Sequence, residues 1–378
     1  MVSTTLEIKT LTPIWTGDAG GKCTEIKETG IIGSMRWWYE AIVRGLGGYA
    51  CDPTKPHKCE LSGKEKKTER VQKLCPVCYL FGTTGWKRQF NLQVKPPRQV
   101  VPLHFRTGIP MNYKWLGRIF GGAEKEVDGR KEYDISNLKV FFGNLEFHAV
   151  FREVESNFAR MQFSSLLNFM SKYGGIGAKL QHGFGQFGCE PSSDFGIAFS
   201  NLYRMIEEEQ FKTDINPNEA PNLKNFVCTT YNLKQNDLKG FLGDGSHYGS
   251  QEMKKEGRYI PCVFDLRYKG KANIGFRQWL EERKSWSHDN LNRLLGVSEK
   301  KGQEIKDGER AASKVMMGMP YKQDNGYSLK VFAFSPSDLL SPAEFVDLFD
   351  DYMQEAFGVN GSPVYGTDIL KKIKEGTL

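Results

Sequence analysis

The chain has 378 residues, 39% hydrophobic and 26% charged, the proportions of a folded globular protein rather than a disordered or fibrous one. It has no run of about 18 apolar residues, which excludes a membrane-spanning helix, and its start, MVSTTLEIKTLT, lacks a basic-then-apolar leader. The expected compartment is therefore cytoplasmic, and the eight cysteines read as thiols or metal ligands rather than disulfides.

Lysine and arginine outnumber acids by 52 to 45, and the placement of the excess is informative. No acid lies between Glu69 and Glu124, or between Glu155 and Glu190. Such one-signed intervals point to an anionic partner, of which nucleic acid is the commonest large one.

Residues 5–13 alternate Leu6 and Ile8 with polar neighbours, the pattern of a half-buried first strand. The stretch GIIGSMRWWYEAIVRGLGG, 30–48, predicts a helix capped by Ser34 over Met35–Leu46, with Met35, Trp38, Ile42 and Leu46 as its apolar stripe. Gly30 and Gly33 precede that start and Arg36 follows it, an arrangement suited to an anion at a helix terminus. Of the two tryptophans, Trp37 is the candidate for stacking on a base and Trp38 for the core.

Cys51, Cys59, Cys75 and Cys78 come next, spaced by seven, fifteen and two residues. Four thiolates in two groups suit one tetrahedral zinc, with His57 as an alternative to Cys51 or Cys59. Four protein ligands leave no open position, so the ion expected is structural. Strands are expected over 89–95 and 99–107, around Pro96 and Pro97, with Arg88, Arg98, His104 and Arg106 in the basic interval. A strand over 137–151, broken at Gly143, leads to a helix over 156–173 that Gly174 ends.

Six of the fifteen residues from Gly174 to Gly188 are glycine. One reading is a tightly turned loop kept small for packing. The other is a main-chain cradle for a phosphodiester, with Gly175, Gly177 and Gly185 baring amides, Lys179 and His182 supplying charge and hydrogen bonds, and Phe184 stacking a base. Gly183, Gly185 and Gly188 also spell G-x-G-x-x-G, but no buried strand precedes them, which excludes a dinucleotide fold; a Walker motif is absent.

A short strand over 183–189 closes the first half. The order strand, helix, cysteine insertion, two strands, helix, strand is a split βαββαβ unit. The expected fold class is α+β, two tandem ferredoxin-like (RRM-like) domains: 1–213 with the cysteine-rich insertion 51–78, a linker at 214–221, and 222–378. In the second, strands are expected at 226–233, 260–268, 314–321 and 327–334, and helices at 276–284 and 342–357, the latter with an acidic face suited to a protein neighbour. The loop Gly240–Gly249 is a weak echo of the first half's loops, and Arg310, Lys314 and Lys322 are the basic candidates there.

Taken together, the 30–48 helix entry, CPVCYLFG at Cys75–Gly82 and the Gly174–Gly188 loop resemble the RAMP superfamily, the repeat-associated proteins of CRISPR systems. The G-x-x-G-x-x-R-W-W pattern at Gly30–Trp38 looks like the first subunit of the type III-B Cmr effector complex. The resemblance rests on motifs over roughly residues 1–190 and on element order beyond them. It implies a non-catalytic subunit, not an enzyme, that contacts CRISPR guide RNA and single-stranded target RNA beside other Cmr subunits in antiviral defence. The alternatives are a metal-independent endoribonuclease that processes CRISPR RNA, with His182 or His104 as base and Lys179 stabilising the transition state, and a protein-interaction module.

Overall fold

In the computed structural model, which describes residues 2–17, 23–55, 58–66, 69–96, 100–102, 109–110, 123–127, 130–134, 139–152, 156–191, 195–217, 220–242, 258–268, 273–297 and 311–378, two larger antiparallel sheets organise a mixed α+β chain. The alternation around Leu6 and Ile8 forms β1 (Val2–Thr10), followed by α1 (Glu28–Gly45), α2 (Pro76–Phe81) and β2 (Phe90–Lys95). Two small sheets come next: β3 (Val100–Pro102) pairs with β7 (Lys139–Phe141), and β4 (Ile109–Pro110) and β5 (Ala123–Val127) flank β6 (Arg130–Asp134). Then β8 (Asn144–Phe151), α3 (Ser156–Tyr173), β9 (Phe187–Cys189) and α4 (Phe195–Glu207) complete the first half.

The first sheet runs β2-β8-β1-β9. Its inward residues follow the period of two that strands impose: Phe90, Leu92 and Val94 on β2, and Leu145, Phe147, Ala149 and Phe151 on β8. Helices α1 and α3 cover that face with Ile31, Met35, Trp38, Phe163, Leu166 and Met170. Helix α1 begins at Glu28, upstream of the expected cap. Ser34 is a mid-helix residue whose hydroxyl donates to the Ile31 carbonyl at 2.9 Å, and an acid in the first turn, Glu28, was the overlooked start signal.

The second half contains β10 (Phe226–Leu233), α5 (Gln235–Leu242), α6 (Val263–Arg267), α7 (Phe276–Lys284), α8 (His288–Leu295), β11 (Val315–Met317), β12 (Tyr321–Gln323), β13 (Gly326–Phe334), α9 (Pro342–Phe357), β14 (Ser362–Tyr365) and α10 (Gly366–Glu375). Its sheet runs β11-β13-β10-β14, with β12 also on β13. The expected strand at 260–268 is instead α6: Val263, Phe264 and Leu266 are all buried, and so short an apolar run carries no period that separates strand from helix. The acidic face of α9 is largely occupied within the chain, since Asp350 accepts the Tyr231 hydroxyl, Asp351 pairs with Lys284, and Glu355 takes the Trp279 indole N–H. Of the loop 240–249, only residues up to 242 are described.

Strand β13 is buried along nearly its whole length, and its one charge, Lys330, is 5% exposed. The ammonium donates to the Ser171 carbonyl at 2.7 Å, in the last turn of α3, where the helix dipole favours a cation. Burial pushes the Lys330 pKa below the usual lysine value, and the Cys228 thiol partly opposes that shift. A base with a folded pKa below its unfolded one binds more protons when unfolded, so its contribution to stability grows as pH rises across that window. Urea unfolding of the wild type and Lys330→Met is therefore expected to show a stability difference that shifts in favour of the wild type as pH approaches about 10; a constant difference would contradict this.

Candidate nucleic-acid interface and metal centre

The glycine loop packs its own main chain against three neighbours. The Ile176 amide donates to the Gly185 carbonyl, Ala178 to Trp15, Gly185 to Pro13, and Gly177 to the Ser34 hydroxyl, all at 2.8–3.0 Å. Amides expected to meet phosphate thus serve the fold. Two glycines show why side chains are excluded: a Cβ at Gly185, where φ is +81°, would lie 2.0 Å from the Ile176 carbonyl oxygen, and one at Gly174 would lie 2.1 Å from the Trp38 ring. The packing reading accounts for this stretch.

The loop's side chains divide. Phe184 is 1% exposed and sits edge-on to Trp15, so it is core rather than a stacking platform. His182 is 6% exposed, stacks on Phe264 with ring centroids 5.2 Å apart, and is held neutral because burial, reinforced by Arg267 and Lys179, pushes its pKa well below the usual value. Lys179 is half-buried with left-handed backbone, φ +59°, and its ammonium lies 4.7 Å from the Trp15 ring centre. Burial lowers its pKa, with Cys23 opposing.

Lys179 lines a cleft of about 400 Å³ where the two halves meet. From the first half come Ser34, Trp37, Gly177, Leu180 and Gln181; from the second come Ser313, Lys314, Met316 and Phe334. Among the described residues that line it, none is acidic and none is a histidine or cysteine. Trp37 is half-buried, edge-on to Phe334 at 5.2 Å, and lines the same cleft as the two lysines. Such a site can hold a base and its phosphates. The second half's contribution was not legible from spacing, because Lys179 and Lys314 are 135 positions apart and share no local pattern; only the charge of Lys314 is a local signal.

Gly30 and Gly33 lie within α1, not before it; a Cβ at Gly30 would touch Thr16 and one at Gly33 would meet open space. Arg36 points away from the cleft: its guanidinium donates to Glu40 at 3.0 Å, to the Gly82 carbonyl at 3.1 Å and to the Cys78 sulfur at 3.4 Å. Arg88 donates to the Phe90 carbonyl and the Asn91 amide oxygen. Arg98, Arg106, His104, His57 and Arg310 lie outside the described residues.

The cysteines converge as their spacing predicts. The sulfurs of Cys51, Cys59, Cys75 and Cys78 lie within 4.8 Å of one another, and all four residues are buried. Pro76 opens α2, and the Cys75 sulfur accepts the Cys78 amide at its start, which brings the C-x-x-C pair onto one turn. Tetrahedral zinc–sulfur bonds of about 2.3 Å place sulfurs roughly 3.8 Å apart, and the 3.3 Å and 3.9 Å separations from Cys51 to Cys78 and Cys75 bracket that value. The donor set fits a four-coordinate structural ion.

A family model described as the RAMP superfamily matches residues 7–188. No curated protein matches the chain. Among solved structures, Cmr1 from Pyrococcus furiosus in its apo form is similar at 12% identity and a TM-score of 0.41, over 96% of this chain and 98% of that one. A type III-B Cmr-beta structure bound to cognate target RNA is similar at 11% identity and a TM-score of 0.40, over 99% of each chain. A second, with target RNA and AMPPnP in the presence of ssDNA, is similar at 12% identity, 99% coverage of each chain and a TM-score of 0.39.

The packing role of the loop has a direct check. Gly185→Ala is expected to cost about 3 kcal/mol or more, from a carbonyl clash added to left-handed strain. Gly188→Ala, where a Cβ meets nothing within 4 Å, is expected to change stability by less than about 1 kcal/mol in the same urea melts.

Proposed function

We propose, from the match of residues 7–188 to the RAMP superfamily model, that the chain is a non-catalytic, RNA-binding subunit of a type III-B CRISPR ribonucleoprotein, contacting guide and target RNA beside other Cmr subunits. The observation that carries this reading is the cleft at the junction of the halves, whose described lining holds Trp37, Lys179 and Lys314 and no acid. Lys179 adds weight: a non-glycine residue in left-handed backbone costs of order 1–3 kcal/mol and tends to persist where function requires it.

Two tandem ferredoxin-like domains, over 1–213 and 222–378, are the architecture proposed. Support comes from the repeated strand order, β2-β8-β1-β9 and β11-β13-β10-β14, each built as strand, helical segment, two strands, helix, strand. Zinc is the ion proposed for the four cysteines, as a clamp between α2 and the segment entering it.

The nuclease alternative has less support. A buried His182 stacked on Phe264 has no access to a 2′-hydroxyl. Lysine binding to phosphate requires the protonated form, so burial of Lys179 makes RNA affinity fall with rising pH sooner than an exposed lysine would.

End-labelled single-stranded RNA, followed by anisotropy with the full chain, tests the reading. Lys179→Ala with Lys314→Ala is expected to flatten the salt slope by about two units, and Trp37→Ala to cost about 1–3 kcal/mol of binding. Unchanged affinity and slope in folded variants would refute the cleft, and a signal that rises and then decays would favour the nuclease. Elemental analysis is expected to find one zinc per chain.

A further inference from the structure

Arg36 was expected to hold phosphate, yet it lies in a buried ladder on one stripe of α1. Positions 36, 40 and 44 are one helical turn apart, so their side chains stack. Arg36 bonds Glu40 at 3.0 Å and Arg44 bonds the other Glu40 oxygen at 3.2 Å, with side chains only 17%, 11% and 3% exposed respectively. Arg44 also reaches the Ala50 carbonyl, one residue before Cys51, and the Pro221 carbonyl on the cleft rim.

Two arginines against one glutamate leave one positive charge in a buried site. Removing charge from water is costly unless it is compensated. The neighbouring group is the cysteine cluster, where Arg36 meets the Cys78 sulfur at 3.4 Å. Two amides also donate to sulfur there, Cys75 to Cys59 at 3.3 Å and Cys78 to Cys75 at 3.4 Å. Asp52 acts electrostatically on Arg44 at one end of the ladder, whereas four neutral thiols would present no negative charge to Arg36 at the other. Four thiolates around a divalent ion carry two negative charges and complement it.

We propose that Arg36 is an outer-sphere partner of a metal held by Cys51, Cys59, Cys75 and Cys78, donating N–H to the Cys78 sulfur while Glu40 and Arg44 fix its guanidinium. This rests on the metal reading and is independent of the RNA reading. Arg36 is a positioning residue: it touches a ligand, not the ion. Loss of such a partner typically weakens metal affinity 10- to 100-fold.

The test compares the full-length wild type, Arg36→Met and Arg36→Lys, each loaded with Co²⁺ for spectroscopy and with Zn²⁺ for competition against a chelator. Arg36→Met is expected to shift the sulfur-to-cobalt charge-transfer band to lower energy, because a thiolate without its N–H donor gives up electrons more readily, and to weaken zinc about 10- to 100-fold. Arg36→Lys, which keeps the charge without the planar fork, guards against misfolding and is expected to fall between the two. At saturating zinc, Arg36→Met should bind single-stranded RNA with the wild-type salt slope; a slope lower by about one unit would assign Arg36 to phosphate and overturn the inference. A wild type that binds no cobalt would remove the metal reading and this inference with it. Wild-type and Arg36→Met proteins with the same cobalt spectrum and zinc affinity would overturn the inference alone.

Discussion

The indole of Trp38 is the contact on which both halves depend. It stands on α1, the helix covering the first sheet, yet packs on Phe226, Phe332 and Phe334 of the second sheet, with ring centroids 5.2–5.7 Å apart. Its N–H donates to the Gly175 carbonyl at 3.0 Å, which satisfies the one polar atom of a ring that is fully buried. Truncating such a ring costs about 3–5 kcal/mol, a large share of the 5–15 kcal/mol that holds a typical domain together. The halves are therefore joined by a shared core rather than by a polar contact surface.

That wedge explains the glycines. A large ring pressed against the end of α3 leaves no room for a side chain at Gly174, and the loop beyond must turn back within van der Waals distance of itself and of Trp15. Glycine density marks close backbone approach, whether the approaching object is a phosphate or another strand. Sequence alone does not separate those cases, because both demand the absent Cβ. The hydrogen bonds separate them, since the amides of Ile176, Gly177, Ala178 and Gly185 all have partners within the chain.

Local pattern carried much of the rest. The 3.6-residue period and end signals placed α3 and α9 at the bounds observed, Ser156–Tyr173 and Pro342–Phe357, and C-x-x-C located the tight half of the cysteine site. What failed depended on tertiary contact. The strand expected over 260–268 is the helix α6 because Asp265 and Arg267 are as fully buried there as Val263, Phe264 and Leu266, so the short run shows no polar–apolar period. Phe184 and His182 were misassigned because their burial comes from Trp15 and Phe264, distant in sequence. Arg36 looked free because neither Gly82 nor Cys78 is near it in the chain.

One helix therefore serves three environments through its own periodicity. Trp38 faces the shared core, Arg36, Glu40 and Arg44 face the cysteine cluster and the linker, and Ser34 with Trp37 faces the cleft. Adjacent residues 36, 37 and 38 point roughly 100° apart, which is why a single R-W-W triplet serves three environments, the core and the cleft meeting where the Trp37 and Trp38 rings touch, 5.1 Å between centroids. Because α1 is rigid along its length, a displacement at the cysteine end would reach the cleft wall through Trp37. A metal held by the four cysteines would act on a cleft it never contacts through that geometry, because Cys75 and Cys78 belong to α2 and Arg36, bonded to the Cys78 sulfur, stands on the helix that forms one side of the cleft.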